Sequence, residues 1–233
     1  MERENHNRPN DARIAPPPRE PFQSMNRAAA QRRACHSPGV TLVELMIVVA
    51  ILAVLAAIGA PNLRAFFINN RLATANNDFM AALSLARSES IRRGASVSVR
   101  RASTTAREWT EGWEIFVDAN GNGVRDAGDE LIRVGQPLAR SLTLRASQVV
   151  EAFVPFTADG RVALSLDDGA NPLNPRATFV LCYDGVLHES GQSRSRAVLL
   201  NSAGRARPGT DSNGDGRPEN AIGADITSCA TPS

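Results

Sequence analysis

The sequence predicts an α+β fold in which one long N-terminal helix packs on antiparallel β-sheet. Three observations carry this. From Val40 to Ile58 the chain is apolar apart from Glu44, a run about long enough to cross a bilayer as a helix. From Asn62 to Arg93 the pattern is amphipathic, with Leu72, Ala75, Phe79, Leu83 and Ala86 recurring at three and four residues. After Gly94 the segments are short, rich in β-formers and punctuated by Gly, Pro, Asn and Asp clusters.

Taken in order, the elements begin with a leader over residues 1–39. Residues 1–24 are polar and Pro-rich (Ala15 to Pro18, Pro21) and lack an apolar period, so they read as disordered. Met25 is an alternative start; it would open a short leader to Gly39 carrying Arg27, Arg32, Arg33 and no acid. A membrane segment spans 40–60, and its basic flank, Arg32 and Arg33, places the N-terminus in the cytoplasm and the rest of the chain in the periplasm. Glu44 within it costs roughly 2.5–3.5 kcal/mol in hydrocarbon and therefore needs a partner. Gly59 and Pro61 predict a kink or local melt, because proline removes a helical hydrogen bond and clashes with the preceding turn. The amphipathic half covers 61–94, with Gly94 as its C-terminal stop. The β-rich domain fills 95–233, with strands expected at Ser96–Arg100, Trp113–Asp118, Leu131–Val134, Leu142–Leu144, Ala152–Phe156, Val162–Leu166, Thr178–Tyr183 and Ala197–Asn201. One helix followed by many short strands is the α+β pattern.

Charge divides unevenly along the chain. There is no Lys, and the overall +2 comes from the leader: residues 1–39 hold seven Arg against four acids, and residues 40–233 hold nineteen Arg against twenty. A nucleic-acid argument must therefore rest on local patches. Catalysis has little to stand on. His188 is the one histidine after the leader, no nucleophile–base arrangement stands out, and no Gly-rich phosphate loop follows a strand, so the chain reads as not an enzyme.

The segment Gly39-Val-Thr-Leu-Val-Glu44-Leu-Met-Ile-Val-Val-Ala-Ile-Leu resembles the class III signal of type IV pilins and type II secretion pseudopilins. Trp109 to Gly123, Asp126 to Arg133, Phe156 to Arg161 and Val180 to Cys182 are similar to the hallmark segments of the GspH/FimT branch. The resemblance spans roughly residues 35–207. It implies a type IV pilin-like fold and cleavage by a prepilin peptidase between Gly39 and Val40, with N-methylation of Val40. The usual first residue of that family is Phe, and Val40 departs from it. It also implies that Glu44 pairs with the N-terminal amine of a neighbouring subunit, so that the partners are other pilin or pseudopilin subunits and the inner membrane. A buried acid needing a buried cation is the physical counterpart of that pairing. An ordinary membrane anchor is the plainer alternative.

Removal of the leader takes Cys35 with it and leaves Cys182 and Cys229. Two cysteines facing the periplasm suit one disulfide, and with His188 they are too few for a closed zinc site.

Two further stretches suggest ligands. Asp118, Asn120, Asn122, Gly123, Val124 and Asp129 match positions 1, 3, 5, 6, 7 and 12 of a calcium loop. Residues 108–130 hold seven acids against Arg125 alone, which favours a cation. A hairpin turn explains the same composition. Asp211 to Gly216 has a similar make-up but carries Ile222 at position 12, and reads as a loop. The opposite charge gathers at Arg194, Arg196, Arg205 and Arg207 with no acid between them among residues 195–207. Gly204-Arg205-Ala206-Arg207 resembles the Gly-Arg-x-Arg motif of DNA-binding FimT-type minor pilins, which implies contact with double-stranded DNA. Forked guanidiniums on a Gly-flanked loop suit phosphate oxygens, with no aromatic residue between them for base stacking. A solvated Arg-rich loop is the plainer reading. Two functions follow from the branch: a type IV pilus subunit that takes up DNA, or a type II secretion pseudopilin with a purely structural role.

Overall fold

A computed structural model describes residues 39–150, 152–163, 176–189, 191–220 and 223–232. Residues 1–38 of the leader, with Met25, Cys35, Arg32 and Arg33, lie outside the described residues, as do the end of the expected Val162–Leu166 strand and Ile222. The chain forms two compact units, Met1–Ile47 and Val48–Ser233.

In the first unit, Gly39 to Thr41 precede helix α1 (Leu42–Arg93) and are exposed. Thr41 caps the helix: its Oγ1 accepts the Glu44 backbone N–H at 3.1 Å, satisfying one of the free donors of the first turn. Glu44 lies in that first turn, where a carboxylate complements the positive end of the helix dipole.

The second unit contains the rest of α1 and all the strands: β1 (Val97–Arg101), β2 (Trp113–Val117), β3 (Leu131–Gly135), β4 (Leu142–Ala146), β5 (Phe153–Phe156), β6 (Arg176–Tyr183), β7 (His188–Glu189), β8 (Gln192–Ser193), β9 (Ser195–Asn201) and β10 (Ala206–Pro208). The helix is unbroken through Gly59 and Pro61, so the expected melt does not occur. One missing N–H in a helix whose flanking turns are intact is a local loss that neighbouring bonds tolerate. At the far end, Gly94 adopts φ 62°, and Ala95 N–H reaches Ser90 O at 3.3 Å while Gly94 N–H reaches Ile91 O at 3.4 Å. This pair of bonds closes the helix as a Schellman motif.

Two four-stranded antiparallel sheets form, ordered β3-β2-β1-β5 and β10-β9-β6-β4, with β7 and β8 as a small separate hairpin. The main core lies where α1 meets both sheets. Ile68, Leu72, Ala75, Phe79, Ala82, Leu83 and Ala86 line the buried side of α1, as the 3.6-residue period demands. Phe79 is central, packing edge-on against Trp113 (5.0 Å between centroids), Trp109 (5.6 Å) and Phe179 (4.8 Å), and so joins the helix to both sheets.

Strand β6 is buried on both faces. Ala177, Phe179 and Leu181 face the main core. Val180 and Cys182 instead face a second cluster with Ala197, Leu199 and Ile226. That second face is covered by the C-terminal segment, which Cys229 ties to Cys182 through a disulfide with Cα atoms 6.1 Å apart.

Candidate assembly and nucleic-acid-binding surfaces

The N-terminal surface is apolar and open. The membrane-length window of α1 has a mean hydropathy of 2.8 and none of it is buried. The Glu44 side chain has no hydrogen bond or ion pair among the described residues. It offers an unmatched carboxylate on an otherwise lipid-like face, next to the exposed Gly39–Val40 bond.

The four arginines do not form one group. Arg194 and Arg196 stand at the start of β9, and Arg205 and Arg207 follow its end. Strand β10 runs back along β9 with Arg207 opposite Leu199, so Arg207 lies only ~10 Å along the strand from Arg196. The two are parted by the sheet itself, because Arg196 shares a face with Leu181 of the main core and Arg207 shares one with Leu199 of the second cluster. Arg194 is ion-paired with Glu189 at 3.0 Å, and its guanidinium carbon lies 5.9 Å from the Tyr183 ring centroid. Arg196 donates to Ser195 O at 3.0 Å and to Asn69 Oδ1 on α1 at 3.4 Å. These two are engaged by the protein itself. Arg205 and Arg207 are exposed, and their side chains are unpaired among the described residues.

Their setting differs from the loop expected for Gly204 to Arg207. Residues Ala206–Pro208 form an edge strand, β10, with Arg207 opposite Leu199 on β9. Ala206 turns inward against the main core, so pleat alternation sends Arg205 and Arg207 outward on one side. The turn before β10 is closed by Gly204 N–H to Asn201 O at 2.9 Å and by Arg205 N–H to Asn201 Oδ1 at 2.9 Å.

Gly204 has φ 72° and sits against the carbonyl of Gly160; a Cβ there would fall far inside van der Waals contact with that oxygen, and 3.1 Å from Arg87 Cδ. Gly160, at φ 78°, is pressed in turn against Ile91 and Arg87. Arg87 Nε donates to Gly160 O at 3.1 Å, and Val162 N–H donates to Ser202 O at 3.0 Å. Three segments distant in sequence therefore meet at one corner, bringing Arg87 and the exposed Arg161 beside Arg205. Asp159 is the acid of that turn. Its carboxyl is held below the usual range by the Thr157 hydroxyl and then by Arg161 N–H. Gly204→Ala should cost at least about 2 kcal/mol, because a left-handed backbone alone costs roughly 1–2 kcal/mol for a residue with a Cβ. Chemical denaturation of the purified protein would check this; an unchanged midpoint would mean the turn yields freely.

The acidic segment forms a self-supporting turn. Asp118 is buried and accepts Ser98 Oγ at 2.6 Å, Gly123 N–H at 2.9 Å and Asn122 N–H at 3.2 Å. Asn120 Oδ1 accepts Asn122 N–H, Asn122 Oδ1 accepts Val124 N–H, and Asp129 Oδ2 accepts Asp126 N–H. The side chains of Asp118, Asn120, Asn122 and Asp129 thus each accept a backbone N–H of the loop through at least one oxygen. Among the described residues, no group of three or more His, Cys, Asp or Glu is placed to hold a metal ion. Farther along, Arg93 bridges Glu89 (2.8 Å) and Glu130 (2.6 Å), tying the end of α1 to the start of β3. Arg92 and then Arg93 hold the Glu89 carboxyl down to about 2.

Comparison with known proteins follows the same divisions. Residues 36–60 match the prokaryotic N-terminal methylation motif, and residues 75–204 match type II transport protein GspH. Pilin-like protein PilA1 of Thermus thermophilus is 32% identical over 174 residues, covering 72% of this chain and 96% of that protein. The crystal structure of the type IV minor pilin FimU of Pseudomonas aeruginosa superposes with a TM-score of 0.50 at 24% identity, covering 70% of this chain and 98% of that one; this likeness is one of fold. A GspH match over more than half of the chain, a methylation motif at the head of an apolar helix, and a pilin fold behind it agree: the chain belongs to the GspH family of pilin-like proteins.

Proposed function

We propose that this subunit is a minor pilin of a type IV pilus that captures double-stranded DNA for uptake through Arg205 and Arg207. As a GspH-family member it is a structural subunit of a pilin-type assembly and not an enzyme, and it joins other pilin subunits. In the proposed reading, a prepilin peptidase cuts between Gly39 and Val40 and methylates Val40. The N-terminus lies in the cytoplasm, the helix is anchored in the inner membrane, and the domain after Pro61 lies in the periplasm or at the filament tip.

The observation that carries the DNA reading is the contrast among the arginines. Arg194 and Arg196 are spent on internal partners, whereas Arg205 and Arg207 project from a glycine-braced edge strand with no carboxylate on them among the described residues. Fixed, unpaired guanidiniums suit phosphate oxygens, and binding by so few contacts is salt-sensitive and indifferent to sequence. The GspH match favours a second reading, a type II secretion pseudopilin in which these arginines are solvated surface.

Binding of the processed protein in non-ionic detergent to double-stranded DNA across a salt series separates the two. The expected result is salt-dependent binding, with a log–log slope that falls by about two in Arg205→Ala/Arg207→Ala, near 0.9 per lost phosphate contact. No binding at low salt would leave the secretion reading.

A further inference from the structure

The DNA-binding reading uses two arginines, but the corner on which they stand holds four. Arg87 comes from the last third of α1, Arg161 from the turn after β5, Arg205 from the turn after β9, and Arg207 from β10. The segments that carry Arg87, Arg161 and Arg205 are in direct contact: Arg87 Nε to Gly160 O, Gly204 against Gly160 O and Arg87 Cδ, and Val162 N–H to Ser202 O. Arg207 follows Arg205 by two residues, on β10. None of the four takes part in an ion pair among the described residues. The pairs formed there use Arg92, Arg93, Arg100, Arg125, Arg145 and Arg194 instead. Asp159 is the one acid of the Gly160 turn and its carboxylate feels Arg161, so four arginines at the corner face a single carboxylate there and the balance stays positive.

Arg87 is the most fixed of the four. It is half-buried, and its Nε is committed to the Gly160 carbonyl at 3.1 Å. That bond orients the guanidinium and leaves its two terminal amino groups without partners among the described residues. A fork held in advance loses less rotamer freedom when it meets a phosphate than a free surface arginine does. The two glycines explain why the fork is held: both have positive φ, and each lies against the Arg87 side chain where a Cβ would not fit.

We propose that Arg87 and Arg161 are further phosphate ligands of the same site, so that the DNA backbone runs along the free edge of β10, over the Gly204 and Gly160 turns and onto α1. The inference rests on the DNA-binding reading above and enlarges its footprint from two contacts to four.

The test uses the processed full chain in non-ionic detergent, a duplex of mixed sequence, and the same salt series. Arg161→Ala should lower the salt slope by about one, as should Arg87→Ala, in addition to the two units lost with Arg205 and Arg207. Arg140→Ala serves as a control; this exposed residue, unpaired among the described residues, precedes β4 near the Tyr183 end of the same sheet, and its loss should leave the slope unchanged. A melting curve for each variant guards against misfolding. Arg161→Ala decides the matter if Arg87→Ala is unstable, because the exposed Arg161 side chain makes no contact that the fold needs. If both variants keep the wild-type slope while Arg205→Ala/Arg207→Ala lowers it, the enlarged footprint is wrong and the DNA reading stands. If Arg140→Ala lowers the slope as much as Arg161→Ala, diffuse surface charge is responsible and the footprint is again wrong. If the wild type does not bind, the DNA reading fails and takes this inference with it.

Discussion

Cys182→Ser should lower the stability of the β-rich domain by ~4 kcal/mol while leaving the main core folded. The disulfide joins residues 47 apart, and in the chain-entropy model a closed loop of that size removes ~4 kcal/mol of freedom from the unfolded chain. For a domain of this size the melting temperature should fall on the order of 10 °C. The loss should be uneven. Cys182 and Cys229 hold the C-terminal segment over Val180, Ala197 and Leu199, where Ile226 is the fully buried side chain it contributes. Without the bond, the segment keeps its backbone contacts at Gly209–Ala197 and Glu219–Thr210 and the burial of Ile226, a small apolar face for so long a strap. Hydrogen exchange should therefore speed up first at Gly209, Glu219 and Ile226, with Phe79 and its aromatic neighbours still protected. Uniform loss across both cores would show that the strap is integral to the fold, and an unchanged denaturation midpoint would count against the entropy account.

Much of this architecture is legible in the sequence because it is local. The stripe from Leu72 to Ala86 repeats with the helical period, and Gly94 sits one residue past the helix end, so helix and stop are readable. The strand segments are readable for the same reason: β-branched and aromatic residues between turn formers. What escapes is non-local or very short. Ala206–Pro208 reads as loop because Gly, Arg and Pro disfavour strand; it is a strand because β9 offers an unpaired edge. The hairpin of His188–Glu189 and Gln192–Ser193 is too short to leave a period. The second core is hidden because its C-terminal members, Ile226 and Cys229, are isolated apolar residues in a tail of mostly small and polar ones that shows no period. The expected melt at Pro61 fails because local propensity ignores the long helix on either side. The four arginines look like one patch because they are close in sequence, yet Arg194 and Arg196 are taken up by Glu189 and Asn69, while Arg207 turns to the other face of the sheet, opposite Leu199. Spacing alone could not join Arg87 and Arg161 to Arg205. The faint sequence signal is a second Gly-Arg pair, Gly160-Arg161, whose glycine forms the floor of the site.

Glu44→Ala should leave membrane insertion intact and reduce incorporation into the filament by roughly a hundredfold, the equivalent of about 3 kcal/mol. Insertion should even become easier, since a carboxylate at membrane depth costs roughly 2.5–3.5 kcal/mol. The loss falls on assembly. Among the described residues nothing pairs with the Glu44 carboxylate, and the Thr41 hydroxyl uses only the Glu44 backbone. In the proposed reading the compensating cation is a neighbouring subunit's N-terminal amine, freed by cleavage after Gly39. Removing one member of a buried pair costs about 3–5 kcal/mol, because the other charge is left uncompensated. Glu44→Gln sharpens the argument, since it keeps size and hydrogen bonding while removing charge. If charge pairing drives assembly, Gln should behave like Ala. If Gln assembles like the wild type, the residue acts through hydrogen bonding, and the pairing idea is lost. Fractionating cells into membrane and sheared filament, with each variant at equal membrane abundance, reads both arms at once.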